Sequence, residues 1–204
     1  MRTTRWLLGL ALLAVGGAAR ADDAIAARVN GTPISTTMVN QVVKSAISGE
    51  RTPPSSAEIA ALNDAALTSL IDLELLAQSA QARGIAVSDA QVDAEIARQK
   101  ARFASAADYD KAMAASGLSP AALRGETRKT LVVNRLLETV VWKDVDVSRE
   151  AVRAYYDEHK AALGDKSFDA LRPAIERSLR DDARDQAQQA YVAELRKTAK
   201  IETR

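Results

Sequence analysis

The sequence predicts a mainly α fold: an irregular multi-helix module opened by a small N-terminal β-hairpin. Three observations carry that expectation. Alanine fills 41 of 204 positions while glycine (9) and proline (5) are scarce, a composition that favours helix throughout. Apolar residues recur at three- and four-residue spacing over most of the chain. The gaps between these stretches carry helix punctuation, with Ser35, Ser88, Ser119 and Ser148 before apolar runs and Gly49, Gly84, Gly117 and Gly164 after them. Aromatics at 4% argue against a sandwich or barrel.

The first 21 residues read as an address. Arg2 and Arg5 precede an apolar run from Trp6 to Val15, and Ala19-Arg20-Ala21 forms a small-x-small cleavage site. The run is shorter than the roughly 20 residues a spanning helix needs, so cleavage is expected after Ala21, with no stable membrane span left afterwards. Loss of Arg2, Arg5 and Arg20 takes the net charge from +1 to −2 over the remaining 183 residues. The expectation is an exported, periplasmic domain over residues 22–204.

In that domain, Asn30-Gly31 between residues 25–29 and 32–34 is a type I′ hairpin signal, and Pro33 confines its piece to a sheet edge. Ser35 then caps a helix whose face is Met38, Val39, Val42, Val43 and Ile47. Pro53-Pro54 marks a loop. A long helix spans about 56–82, with Ile59, Leu62, Ala66, Leu70, Leu73 and Ala77 widened by Leu67, Ile71, Leu75 and Leu76, so most of it is expected to be buried. Ser88 with Gln91 is a capping box. The helix it opens has a thin stripe (Val92, Ile96, then Phe103) amid Asp89, Asp93, Glu95, Arg98, Lys100 and Arg102. A short helix over 106–116 carries Tyr109 and Met113.

Ser119-Pro120 starts a helix that should run to Trp142, with Leu118 stapling to Leu123. Asp146-Val147-Ser148 caps another, to about Leu163. The last helix should run from near Phe168 to Thr198, with Pro173 restarting or kinking it. Ala199–Glu202 is long enough only for a strand stub or a frayed end. In the final helix, Leu171, Ile175, Leu179, Ala183, Ala187, Tyr191 and Leu195 fall every four residues. That spacing lags a 3.6-residue turn, so the stripe winds and several elements must cover it. Val87-Ser88-x-x-x-Val92-x-Ala94 is echoed by Val147-Ser148-x-x-x-Val152-x-Ala154, which reads as two helix starts sharing cap chemistry.

The residue inventory excludes much chemistry. Without cysteine there are no disulfides, thiol nucleophiles, Fe–S clusters or Cys-type zinc sites. A single histidine, His159, lies in a charged helix end and excludes any metal or catalytic site needing two. The near-neutral charge gives no field for nucleic acid. Asp181, Asp182 and Asp185 are interleaved with arginines, as on a solvated face. No phosphate-cradling loop, nucleophile elbow or H-E-x-x-H occurs. No metal, cofactor or catalytic residue is therefore expected.

The segment Val29-Asn30-Gly31-Thr32-Pro33-Ile34-Ser35 resembles the opening of SurA-type periplasmic chaperones and the related PrsA-like foldases. The resemblance continues through Leu70-Ile71-Asp72-Leu73-Glu74-Leu75-Leu76-Ala77-Gln78-Ser79-Ala80, Gly84-Ile85-Ala86-Val87-Ser88, Val145–Tyr156 and Leu195–Ile201. It implies that the long C-terminal helix packs back on the N-terminal helices and that a strand at Ile201 joins the hairpin. The family normally inserts a parvulin prolyl isomerase domain after the Tyr155-Tyr156 helix. Here only Asp157–Ser167 precede Phe168, so the resemblance implies the binding half of the family without its enzymatic half.

The expected function is that of a holdase-type chaperone for unfolded exported proteins, such as outer-membrane β-barrel precursors. The thin-striped region 88–117 is the candidate protruding arm, with Phe103, Tyr109 and Met113 as client contacts. The competing reading packs those three on the helix that follows. A divergent prolyl isomerase using His159, or an assembly factor for one envelope partner, are the rival functions. A homodimer formed by exchange of the hairpin or last helix stays open.

Overall fold

The computed structural model describes residues 24–48, 52–116, 119–164 and 166–204. The leader with its cleavage site, the stops at Gly49 and Gly117 and the Leu118–Leu123 staple lie outside the described residues. The chain divides into two compact units: one reaches Val133 and includes Thr198–Arg204, the other is Asn134–Lys197.

In the first unit, β1 (Ile25–Val29) and β2 (Thr32–Ser35) form the hairpin. Asn30 and Gly31 both take positive φ, 50° and 88°, as a type I′ turn demands. A third strand, β3 (Ile201–Thr203), pairs antiparallel with the other side of β1, giving the order β2-β1-β3. Its register sets Val29 opposite Ile201 and Ala27 opposite Thr203. The end of the chain thus returns to its beginning, and β1 is central. Ala27, Val29 and Ile34 are almost wholly buried beneath this small sheet. Pro33 sits in edge strand β2, where its missing N–H breaks no ladder.

Ser35 ends β2 and caps α1 (Thr36–Ala46), its hydroxyl accepting from the Met38 N–H at 3.3 Å. The next helix, α2 (Ser56–Ala82), begins with a capping box that the sequence reading passed over: Ser55 and Glu58 bond each other's backbone N–H groups. It ends in a Schellman turn. The Ile85 N–H reaches the Ala80 carbonyl and the Gly84 N–H the Gln81 carbonyl, each at 3.0 Å, with Gly84 at φ 68°. Ala66, Leu70, Ile71, Leu75, Leu76 and Ala80 of α2 form the largest share of the core. The helices α3 (Asp89–Lys100), α4 (Ala106–Ser116) and α5 (Pro120–Leu136) follow. Their caps are Ser88, Ser105 and Ser119.

One expectation is corrected where α5 ends. The sequence reading carries a single α-helix on to Trp142; instead Leu137–Val141 is a π-helical turn, closed by the Trp142 N–H on the Leu137 carbonyl at 2.7 Å. The indole that follows is held in place: its Nε1 donates to the Arg184 carbonyl at 3.1 Å, and the Arg184 guanidinium lies over the ring. A π turn re-aims the side chain that follows it, and here that side chain finds both a hydrogen bond and a cation.

In the second unit, α6 (Arg149–Leu163) is capped by Ser148 and closed by Gly164 at φ 67°. Next comes α7 (Phe168–Thr198), a single helix that runs through Pro173 without restarting. Val152, Tyr156 and Ile175 form the buried cluster between α6 and α7, flanked by Val147, Tyr155, Leu163, Phe168, Leu171 and Leu179. Tyr156 also donates its hydroxyl to the Lys166 carbonyl at 2.8 Å. Further along α7 the buried residues are Gln188 and Val192. At about 100° per residue they lie more than a quarter turn around the helix from Ile175. Burial therefore winds around α7, although of the seven residues spaced by four only Ile175 is buried, and Gln188 and Val192 each lie one position past that series.

Candidate functional site

The thin apolar stripe of α3 has a direct structural result. Only Val92, with no exposed surface, and Gln99, at 8%, are buried in this helix. Ile96 is half-buried. Charge supplies the rest of the attachment. Arg124, on α5, pairs with Asp93 and lies 3.6 Å from Asp89, and Arg128 pairs with Asp89. The Asp93 carboxylate holds the Arg124 guanidinium above its usual range by hydrogen bond and charge. Asp89/Asp93 and Arg124/Arg128 are each one turn apart, so two acidic and two basic groups face each other as a clasp. The sequence reading set Asp89 and Asp93 beside the thin apolar stripe without giving them a partner. The signal that could have paired them is the matching i, i+4 spacing of opposite charges on neighbouring helices.

Beyond α3 the structure brings Phe103 and Tyr109 together. Their rings meet edge to face, centroids 5.4 Å apart and planes at 81°, a preferred aromatic geometry. The Lys100 ammonium sits over the Tyr109 ring at 5.3 Å. Phe103, Tyr109 and Met113 are all half-buried, and none joins the buried core. Phe103 comes from the α3–α4 connection and Tyr109 from the first turn of α4, with Lys100 and Arg102 close by in sequence.

The opposite pattern holds at the hairpin. Glu74, on α2, is buried to 7% and pairs with Lys129 of α5. Its Oε1 also accepts from Gln78 Nε2 at 2.9 Å. The same Gln78 amide donates to the Val29 carbonyl at 3.0 Å, and its Oε1 accepts from Asn30 Nδ2 at 2.8 Å. Asn30 then fixes the far end of the chain: its N–H donates to the Lys200 carbonyl and its Oδ1 accepts from the Lys200 N–H, both at 2.8 Å. A continuous polar relay thus joins α5, α2, the hairpin turn and the lead into β3. Glu126, one turn before Lys129, has its carboxyl pushed up, first by burial and then by the nearby Glu74 charge, against the pull of Lys129. Sequence reasoning missed this relay. Its one visible sign was a lone acid, Glu74, inside an otherwise apolar helix face.

His159 offers no catalytic arrangement. Its Nδ1 lies 2.9 Å from the Tyr155 carbonyl and its ring stacks on Tyr155 at 4.1 Å. Among the described residues, no group of three or more His, Asp or Glu side chains is placed to hold a metal ion, and no helix is long and apolar enough to cross a membrane.

Comparison with known proteins agrees with this architecture. Residues 5–137 match the SurA-like N-terminal domain family. No curated protein matches the chain. A solved chain is similar over 89% of this protein and 99% of its own length, with a TM-score of 0.56 and 15% identity. It comes from work on the virulence factor PEB4 and the periplasmic protein Cj1289, two structurally related SurA-like chaperones of Campylobacter jejuni. That likeness shows a shared fold. The family match spans well over half of the chain and carries a non-catalytic chaperone role with it. The chain belongs to the SurA-like N-terminal domain family of periplasmic chaperones.

Proposed function

We propose that the protein is a periplasmic holdase, exported by cleavage after Ala21, that captures unfolded exported polypeptides such as outer-membrane β-barrel precursors and has no isomerase activity of its own. The observation that supports this reading is the half-buried Phe103–Tyr109 pair, which follows a helix whose buried residues are Val92 and Gln99 alone. Edge-to-face aromatics with one side open offer adaptable apolar contact to an extended chain. Met113 adds a flexible, polarizable surface suited to varied sequences. Lys100 and Arg102 keep this surface soluble between clients.

Light scattering of a denatured β-barrel protein tests the reading. Several-fold excess of the chaperone should suppress the rise in scattering, and Phe103→Ala with Tyr109→Ala should remove most of that suppression while leaving the far-UV CD spectrum unchanged. A proline-limited refolding reaction should run no faster with the protein present. Unchanged suppression by the double variant would move the client site away from the arm, and acceleration abolished by His159→Ala would replace the holdase reading with an isomerase.

A further inference from the structure

Where α6 begins, the second unit holds a cleft of about 140 Å³ lined by Val147, Arg149, Val152, Arg172 and Glu176. Its lining is chemically divided. Val152 is 2% exposed and belongs to the apolar cluster with Tyr156 and Ile175, and Val147 packs against that cluster. The remaining lining residues are charged: Arg149 from the first turn of α6, and Arg172 with Glu176 one turn apart on α7. Glu176 is engaged elsewhere, its Oε1 accepting from Arg180 Nη2 at 2.6 Å. Arg149 acts on its neighbour Glu150 only as a nearby charge. Among the described residues, Arg172 has no ion pair or side-chain hydrogen bond. By contrast, Arg98, Arg124, Arg128, Arg153 and Arg180 each hold a carboxylate. The cleft is therefore lined by two valines and two exposed arginines, and among the described residues neither arginine holds a carboxylate.

Two physical facts define what fits. A volume of about 150 Å³ holds a molecule the size of benzene, so this cleft of about 140 Å³, open to solvent, has room for one six-carbon group. A guanidinium fork matches a carboxylate in plane and spacing, and two of them exceed the single negative charge of Glu176. We propose that this cleft binds a carboxylate carried on one aromatic or branched aliphatic group, with the apolar group against Val147 and Val152 and the carboxylate on Arg149 and Arg172. That chemistry belongs both to the C-terminal residue of a polypeptide ending in Phe or Leu and to a free aryl-alkanoic acid. The cleft shares no residue with the proposed client contacts, so neither reading depends on the other.

Amide chemical shifts of the full-length protein, titrated with small probes, decide the matter. N-acetyl-phenylalanine should shift the Val147, Val152 and Arg172 signals, and its amide should bind about tenfold more weakly for loss of the charged contacts. Arg172→Gln should weaken the acid to a similar extent, and so should Arg172→Lys, because an ammonium lacks the fork. Equal binding of 3-phenylpropanoate assigns the cleft to free acids; binding of the N-acetyl amino acid alone assigns it to polypeptide ends. Equal affinity for acid and amide in the unsubstituted protein, or shifts confined to other residues, would overturn the proposal, and this comparison requires no variant to fold.

Discussion

Helices α2 and α3 are built from similar beginnings and held by different forces. Each opens with a serine capping box, at Ser55–Glu58 and at Ser88–Gln91. From there they diverge. Along α2, Leu70, Ile71, Leu75 and Leu76 are buried, and its one buried acid is threaded into a relay that reaches the hairpin and the end of the chain. Along α3, one valine is buried, and an exposed clasp supplies the rest. Apolar burial is not weakened by charge screening, whereas attraction between exposed charges is screened over about 8 Å at physiological ionic strength. The difference teaches that α2 is held mainly by burial, whereas α3 relies on an attachment that salt can loosen.

The largest effect should come from breaking the α2 side. Leu76 is 3% exposed, and Leu76→Ala should cost about 2–5 kcal/mol, the transfer loss plus a cavity. Denaturant unfolding followed by CD should show the midpoint fall with little change in slope. A loss below about 0.5 kcal/mol would mean that the α2 core is not the foundation described here.

A smaller effect should follow from opening the α3 clasp. Asp89→Asn with Asp93→Asn removes both carboxylates while keeping side-chain size. Because both carboxylates are well exposed and both arginines partly so, the loss of global stability should stay below about 1 kcal/mol. Its local signature should be clearer: hydrogen exchange of the α3 amides should quicken in the variant, and 1 M salt should quicken it in the parent protein but not in the variant. Equal salt response in both would show that the clasp contributes nothing to holding the arm.

The contrast between the two helices also explains what was legible in the sequence. Local chemistry was readable. Asn30-Gly31, the Ser88–Gln91 box, the Gly84 stop, the α4 bounds and the α7 bounds all follow from residues within a turn of one another. What was not readable depends on distance along the chain. Asn30 meets Gln78 and Lys200 only after folding, and Glu74 meets Lys129 only because α2 and α5 lie together. The π turn is another such case: no residue among Leu137–Val141 demands it, and the Trp142 side chain that follows it meets Arg184, 42 residues on. The arm residues Phe103, Tyr109 and Met113 were picked out by a sparse stripe, which locates a weakly held surface without naming what touches it.

The smallest effect sharpens the comparison from inside the foundation. Glu126 faces Glu74 and Lys129, and its carboxyl is held above the ordinary glutamate range by burial and by the Glu74 charge. An acid whose folded pKa is raised takes up its proton more readily in the native state than in the unfolded chain. Its charged form therefore costs stability above the raised pKa, and the cost fades as pH falls through that value to the ordinary one. Glu126→Gln removes the charge and leaves Lys129 to Glu74 alone. The variant should melt slightly higher than the parent at pH 7, and the two melting curves should converge below about pH 4, the ordinary glutamate range. A variant that melts lower at pH 7 would show that Lys129 needs both carboxylates, and the relay would then have to be redrawn with Glu126 as a full member.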